Sequence, residues 1–354
     1  MTLPGFRDEF RTFFNLSDDR VLGRIVEQNR HHYKMATHEG IVDAEIKGRL
    51  LFSSDGIADL PKVGDWVEFS VKPPSKYVII RTLHRFSKLS RKVVGKRSDE
   101  QVLVTNVDQA LVMQSADSTF NIRRVERFVV MAKESGADVA IALSKCDLTN
   151  ANEMMVGELV AACPGIPIFP CSAINDTGIA AIYHWIKADH TVVILGPSGV
   201  GKSTLVNAFL AAPQQKTGDV NARHMKGSHT TVKRQLITLP NRGIIIDTPG
   251  IREIQLWAAE DGIGSTFEDI DRIAQGCRFS NCTHQHEHHC AVKNAVNSGQ
   301  LSPDRLAHYQ KLHAETHDIS TVRQRLGDTR KKRHLAQAKK RYNTPFNPQQ
   351  IDDD

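Results

Sequence analysis

Gly196-Pro197-Ser198-Gly199-Val200-Gly201-Lys202-Ser203 fits G-x-x-x-x-G-K-[ST], the spacing of a phosphate-binding loop, with Thr204 following it. Glycines at these positions let backbone N–H groups turn inward around phosphate oxygens, and the helix that follows adds its positive dipole end. Lys202 is placed to reach the β/γ-phosphates and Ser203 to give a hydroxyl to Mg²⁺. Farther on, Asp247-Thr248-Pro249-Gly250 closes the apolar run Gly243-Ile244-Ile245-Ile246. An Asp at a strand end with Gly three residues later is the Walker-B and switch II arrangement. Asp247 holds Mg²⁺ through water and the Gly250 N–H senses the γ-phosphate. Between the two lies Gly227-Ser228-His229-Thr230-Thr231-Val232, placed as switch I. A threonine there completes the Mg²⁺ shell, and the residues do not decide between Thr230 and Thr231.

Upstream of the P-loop, Ser144-Lys145-Cys146-Asp147 ends an apolar run and matches the N-K-x-D element, with Ser in place of Asn. The Asp147 carboxylate would take N1–H and N2–H₂ of guanine, a donor pair adenine lacks, while Lys145 lies over the base plane. Ser172-Ala173, at the next strand end, matches the loop whose backbone N–H contacts guanine O6. The expected ligand is therefore GTP rather than ATP. Ser144 is expected to lose the loop-bracing amide that Asn supplies.

The order of these pieces is unusual. Ser144–Asp147 and Ser172-Ala173 come first, then the P-loop, then Thr230/Thr231, then Asp247–Gly250. A GTPase in this order is circularly permuted, which is tolerable because strands pair by spatial neighbourhood and termini often lie close together. The chain after switch II, Ile251 to Trp257, then leads out of the sheet into the C-terminal part, which a γ-phosphate-dependent shift should move. In that part, Cys277-x₄-Cys282-x-His284-x₅-Cys290 offers three thiolates and an imidazole, a closed tetrahedral Zn²⁺ set of the structural type. His286, His288 and His289 beside it leave the choice of imidazole open.

The elements that must position these residues are readable from periodicity. Gln109–Met113, Val139–Leu143, Ile166–Pro170, Thr191–Leu195 and Gly243–Ile246 read as buried strands. They alternate with helices over Ile122–Ser135, Ala151–Ala162, Gly178–Ala188 and Thr204–Leu210, the pattern of a parallel sheet covered on both faces. Before them, Val21–Glu27, Ile41–Ile46, Asp65–Val71 and Tyr77–Ile80 read as short strands between Gly and Pro turns. They suggest an all-β barrel of the OB type, with an SH3-like barrel leaving nearly the same trace. Arg24, Arg30, His31, His32, Tyr33 and Lys34 read as either a basic, aromatic-bearing face for RNA or a solvated barrel face. Residues 1–20, with Phe6, Phe10, Phe13 and Phe14, read as an arm that is loose or docked only on binding. Leu301–Glu315 reads as a helix with Leu306, Tyr309 and Leu312 on one stripe.

The expected organisation is an arm (1–20), an OB-fold barrel (21–88), a circularly permuted α/β P-loop GTPase (89–256), a zinc-binding helical domain (257–318) and a basic tail (319–354). The tail carries Arg323, Arg325, Arg330, Lys331, Lys332 and Arg333. It reads as a solvated arm or as a neutraliser of nucleic-acid phosphates. The 354 residues carry a formal net charge of +6, which favours a polyanionic partner. No apolar run approaches the roughly 20 residues of a membrane span, and scattered thiols without a leader read as a reduced, cytoplasmic protein.

A permuted GTPase with a barrel before it and a Cys/His domain after it resembles the bacterial RsgA (YjeQ) family. The resemblance runs from about Val21 to Glu315 and is carried by Gly64-Asp65-Trp66-Val67, the permuted motifs, the P-loop octapeptide and the Cys/His spacing. The chain departs at Ser144 and at Val232, where a third Thr is expected. The resemblance implies His284 as the zinc imidazole. It also implies binding to the 30S ribosomal subunit and its 16S rRNA by a monomer, in late subunit maturation, with subunit-stimulated hydrolysis of GTP to GDP followed by release. Ile251 stands where many GTPases carry a water-orienting Gln, so His229 is a candidate catalytic residue ordered by the partner; otherwise it is an exposed loop residue. A GTP-gated RNA- or protein-binding adaptor without stimulated turnover is the alternative. A metal-handling GTPase is disfavoured because the four Cys/His ligands already close one tetrahedron.

Overall fold

The computed structural model describes residues 3–15, 21–29, 32–46, 58–93, 100–211, 234–247, 256–257 and 259–316. The first helix is α1 (Glu9–Phe13), and the first strands are β1 (Leu22–Asn29), β2 (His32–Thr37), β3 (Gly40–Ile46), β4 (Trp66–Lys72) and β5 (Lys76–Thr82). The strands pair in the order β1-β2-β3-β5-β4, and β4 returns to β1, closing a ring. β3 runs parallel to β5, while β1–β2, β2–β3 and β4–β5 are antiparallel. This five-stranded closed ring is the OB-type barrel and decides against the SH3-like alternative. Ile25, Tyr33, Met35, Val67, Phe69 and Ile79 fill it.

The G-D-W-V stretch acquires its reasons here. Gly64 has φ +97°, and a Cβ on it would stand 2.1 Å from the Thr105 carbonyl oxygen, so only glycine fits. Asp65 is fully buried and accepts from Lys62 N at 2.7 Å and from Arg85 Nε and Nη2 at 2.8 Å. Trp66 packs beneath the N-terminal arm.

That arm is docked in the structure, contrary to the sequence reading of a loose segment. Leu3, Phe10 and Phe14 are buried with Leu22, Trp66 and Leu83. Phe6 meets Trp66 edge-on at 5.6 Å, and Phe10 stacks on Phe86 at 5.6 Å. Each buried phenyl ring contributes about 2 kcal/mol toward holding the segment against the barrel. Two residues assigned to a basic RNA face are also inside. Tyr33 is 1% exposed, in the barrel core, and Arg24 is 1% exposed beneath Trp66. Arg30 and His31 lie outside the described residues. His32 and Lys34 remain on the surface.

A hairpin of β6 (Lys88–Lys92) and β7 (Glu100–Thr105) leads into the second module. Next come β8 (Gln109–Ser115), α2 (Ile122–Glu134), β9 (Asp138–Ser144), α3 (Asn152–Ala162), β10 (Ile168–Pro170) and α4 (Ile179–Trp185). They lead to β11 (Thr191–Leu195), α5 (Lys202–Ala211), β12 (Gln235–Thr238) and β13 (Ile244–Asp247). The strands lie in the order β10-β9-β8-β11-β13-β12, parallel except for β12, which the sequence reading missed. The P-loop strand β11 sits centrally with all five residues buried, as its unbroken apolar run requires. Strands that precede it in the chain lie on one side and those that follow lie on the other, the spatial expression of the permutation. α4 and α5 cover one face through Ile182, Leu205, Val206 and Phe209. α2 covers the other face with Val125, Phe128, Val129 and Ala132, spaced for one helical stripe, and Asn121 caps it by accepting from Arg124 N at 3.0 Å. β12 also meets the barrel, by the single register pair Glu27↔Gln235.

The last module consists of α6 (Glu260–Thr266), α7 (Glu268–Ala274), α8 (Ala291–Asn297) and the helix α9 over 303–316. Ile263, Phe267, Ile270 and Leu312 belong to the same core as α2, so the helical domain and the GTPase share one apolar interior. Among the described residues no helix is long and apolar enough to cross a membrane.

Candidate functional site

The P-loop leaves β11 at Gly196, whose φ is +151° and whose missing side chain admits the Met113 carbonyl, 2.6 Å from where a Cβ would stand. Gly199 (φ +81°) and Gly201 (φ +100°) turn the backbone where nothing would crowd a side chain, so conformation alone demands glycine there. Lys202 opens α5. Its Nζ donates to Gly196 O at 2.9 Å and Pro197 O at 2.8 Å, tying the loop to itself, and it is 8% exposed. Burial lowers the Lys202 pKa, with Asp247 working against it; burial raises the Asp247 carboxyl, with Lys202 opposing. These two groups feel each other because β11 and β13 are neighbours, with Ile194 opposite Asp247. Asp247 is thus beside the P-loop, as its place at the end of β13 implies. Thr248, Pro249 and Gly250, together with His229, Thr230, Thr231 and Val232, lie outside the described residues.

The base-recognition residues come together on the other side of the P-loop. Ser144 ends β9, and its Oγ donates to Val200 O at 2.7 Å, with Gln114 O at 3.3 Å. Ser144 has no amide to brace the loop, but its hydroxyl ties the loop to the P-loop backbone instead. Lys145 takes a left-handed conformation (φ 59°, ψ 35°), and the chain then makes one 3₁₀ turn over Cys146–Leu148. Cys146 N donates to Cys171 O at 3.1 Å and Cys171 N to Leu143 O at 2.8 Å, so the loop at Ser144–Asp147 and the loop at Ser172-Ala173 are bonded together. Asn175 N donates to Ser172 Oγ at 3.2 Å, tightening the second loop. A cavity of about 280 Å³ opens between them and the P-loop, lined by Lys145, Asp147, Ala173, Val200 and Thr204 among others. Leu148 and Ile174, 62% and 79% exposed, form its apolar lips. Such a slot, apolar on its faces with the exposed Asp147 at its edge, suits a planar base carrying N–H donors.

The sequence reading missed Asp117, in the loop between β8 and α2, whose Oδ2 lies 3.1 Å from Lys145 Nζ. The only local signal was the Asp117-Ser118-Thr119 turn chemistry just before a helix.

Cys277, Cys282, His284 and Cys290 converge, with all four ligand atoms within 4.8 Å of one another. Cys277 Sγ lies 3.7 Å from His284 Nδ1 and 3.9 Å from Cys290 Sγ, and Cys290 Sγ lies 3.4 Å from His284 Nδ1. A tetrahedron with Zn–S bonds of about 2.3 Å has edges of roughly 3.8 Å, so the set fits zinc. His284 is 7% exposed, whereas His286, His288 and His289 are all exposed. Geometry thus singles out His284. Cys290 also caps α8, its Sγ accepting from Lys293 N at 3.4 Å.

Two contacts tie the chain beyond switch II to the rest. Leu256 bridges to Arg91 of β6, and Leu256 N donates to Glu315 at 2.8 Å, near the end of α9. Arg127 of α2 pairs with the same Glu315 carboxylate at 2.6 Å. Of the segment Ile251 to Trp257 the remainder, Ile251 to Gln255, lies outside the described residues.

The comparisons with known proteins agree with this architecture. A family model described as RsgA GTPase matches residues 82–257. A model described as ABC transporter overlaps residues 181–343, a span that includes the P-loop common to both groups. The chain is 39% identical over 297 residues to a small ribosomal subunit biogenesis GTPase RsgA 1 of Oceanobacillus iheyensis, covering 83% of this chain and 85% of that protein. It is 37% identical over 329 residues to a protein of the same name, RsgA, from Opitutus terrae, covering 89% and 90%. The solved structure of YjeQ from Thermotoga maritima superposes with a TM-score of 0.62 at 26% identity, over 84% of this chain and 98% of that one. YloQ, described as a circularly permuted GTPase, superposes with a TM-score of 0.59 at 26% identity, over 85% and 96%. With a permuted GTPase sheet, an OB-type barrel and a Cys₃His cluster in one chain, and relatives of this similarity over most of its length, the chain belongs to the RsgA GTPase family.

Proposed function

We propose that this protein is a GTPase that binds the small (30S) ribosomal subunit through its 16S rRNA late in maturation. It hydrolyses GTP to GDP under stimulation by the subunit and then dissociates, acting as a cytoplasmic monomer. The observation that carries the reading is the convergence of Ser144–Asp147, Ser172-Ala173 and the P-loop on one cavity. It occurs in a chain whose relatives are named small ribosomal subunit biogenesis GTPases.

In this reading Asp147 pairs with guanine N1–H and N2–H₂, and the Ala173 backbone approaches O6. The backbone N–H groups from Gly196 to Thr204 cradle the phosphates. Lys202 exchanges its bonds to the Gly196 and Pro197 carbonyls for phosphate oxygens, which needs only a rotation of its flexible stem. Ser203, Asp247 and one of Thr230 and Thr231 serve Mg²⁺, whose chemistry is to neutralise charge developing on the β/γ-phosphates. Gly250 reports the γ-phosphate. His229 orients the attacking water, since Ile251 has no group that can. Cys277, Cys282, His284 and Cys290 hold one structural zinc, which leaves no open position for chemistry. Motion of switch II reaches the C-terminal domain through Leu256 and Glu315.

The test is GTP turnover by the purified protein with 30S subunits, 50S subunits, free RNA or no addition. Stimulation by 30S alone supports the reading, and His229→Ala should then abolish most of the stimulated rate. Tight GTP binding with no stimulation by any partner would instead indicate the adaptor.

A further inference from the structure

One ion pair at the base pocket involves a residue outside every motif. Asp117 Oδ2 lies 3.1 Å from Lys145 Nζ. Its other oxygen, Oδ1, is occupied within its own loop, accepting from Ser115 Oγ at 3.0 Å and Thr119 N at 2.9 Å, and from the Thr119 hydroxyl. The division of labour is clear: Oδ1 builds the turn, and Oδ2 faces the lysine. These bonds, the Thr119 hydroxyl foremost, hold the Asp117 carboxyl well below the usual carboxylate range, so it is an anion at any physiological pH.

The loop carrying Asp117 is itself strapped to the base-recognition loop. Ala116 N donates to Ser144 O at 2.7 Å, while Gln114 Nε2 closes the Asp117 loop on itself at Thr119 O, 3.2 Å away. Lys145 has the left-handed backbone that non-glycine residues keep only where their surroundings over-determine it. Among the described residues Asp117 is the one carboxylate paired with it.

The geometry points to Asp117 as a positioning residue for guanine-nucleotide binding: it anchors the Lys145 ammonium at the pocket rim, so that the lysine stem is laid along the face of the base. An untethered lysine stem would sample many rotamers and lose their entropy each time a nucleotide bound. A tethered one is pre-organised. The inference rests on the reading of this pocket as a guanine site. Because the pair is partly exposed (33% for Lys145, 22% for Asp117), its effect is modest, about three- to tenfold.

The experiment follows release of a fluorescent GDP analogue from the full-length protein and from Asp117→Asn, Lys145→Met and the double variant. Asn keeps an acceptor for the turn but removes the charge, so the fold is preserved. Each single variant should release GDP about three- to tenfold faster, and the double variant no faster than either single one. GDP and GTP affinities should fall by the same factor, because Asp117 stands at the base end of the site. Asp117→Glu should restore much of the loss, and the melting temperature of nucleotide-free Asp117→Asn should stay within about 2 °C of the parent. Wild-type release from Asp117→Asn, or a double variant showing the product of the two single effects, overturns the inference while leaving the guanine reading intact. A parent protein that binds ADP as tightly as GDP overturns the guanine reading itself.

Discussion

The GTPase module is gripped on two sides, and the two grips are built from opposite electrostatics. On the barrel side one buried ion is Arg24, whose guanidinium forms no salt bridge among the described residues. It donates to Pro4 O at 2.8 Å and to Thr191 Oγ1 at 2.7 Å, and lies over Trp66 at 4.8 Å; burial lowers its pKa to about 10. On the C-terminal side the buried ion is Glu126 of α2, fully enclosed. It meets Arg305 at 2.8 Å, Arg123 at 2.9 Å and His308 at 2.8 Å, and Arg305 also pairs with Asp269 at 2.7 Å. One joint is a cation solvated by carbonyls, a hydroxyl and an aromatic face. The other is an anion held by two guanidinium groups and an imidazole and backed by a shared apolar core. The first depends on neutral acceptors and an aromatic face, whereas the second depends on the pairing of opposite charges.

Removing the metal should break the C-terminal side most severely. Its Cys₃His loop has little of its own core, and structural zinc supplies on the order of 10 kcal/mol in small domains. A strong chelator should therefore loosen the Cys/His loop and, because that loop packs on the core shared with the GTPase, lower the melting temperature of both together; calorimetry with and without chelator checks this. Glu126→Ala comes next, at about 3 kcal/mol, the low end for breaking a buried pair, because Arg305 loses one carboxylate but keeps Asp269. Denaturant titration should show this loss, and Glu126→Gln, which keeps acceptors but no charge, should lose less.

On the barrel side Lys62 sharpens the contrast, since it is a cation with a net penalty. It is 4% exposed, and burial, with Arg85 and Arg234 nearby, lowers its pKa to about 8. Between that value and the unfolded value near 10.5 the unfolded chain binds more protons, so this group makes stability rise with pH across that window. Lys62→Met should stabilise the protein at pH 7 by up to about 3 kcal/mol, an advantage that shrinks as pH climbs from 8 toward 10.5. Thermal melts across that range read the trend. The smallest effect belongs to Arg24→Met, about 1–2 kcal/mol from unmade hydrogen bonds, with no opposite charge left behind. If Arg24→Met cost as much as Glu126→Ala, the distinction between the two joints would fall.

Much of the candidate site was legible because phosphate and guanine recognition depends on residues near one another in the chain. The P-loop glycines, Asp147, Asp247 and the Cys/His spacing each carry their chemistry within a few residues. The hydroxyl tie at Ser144 was not legible because its partner, the Val200 carbonyl, is backbone and leaves no mark in the sequence. Asp117 was missed for a related reason: its relation to Lys145 runs across two neighbouring strand ends.

Tyr33 and Arg24 went wrong for a different cause. Strand alternation assigns faces only while register is unbroken, and β1 shifts register against β2 between Ile25 and Glu27. Moreover, Leu22 to Val26 are buried in succession because the ring lies on one side and the arm and GTPase on the other. A strand covered on both faces has no polar side to announce.

By itself, then, the sequence determined the element types, the permuted order, the phosphate-binding loop and the zinc ligand spacing, since each follows from local periodicity or short-range geometry. Only the tertiary structure decided which histidine joins the thiolates, that the arm is docked, that Arg24 and Glu126 are buried at opposite joints, and that Ser144 and Asp117 brace the base pocket. The histidine apart, these depend on groups from 28 to 179 residues apart meeting in space, and burial, unlike periodicity, belongs to the packed molecule and not to any one segment of it.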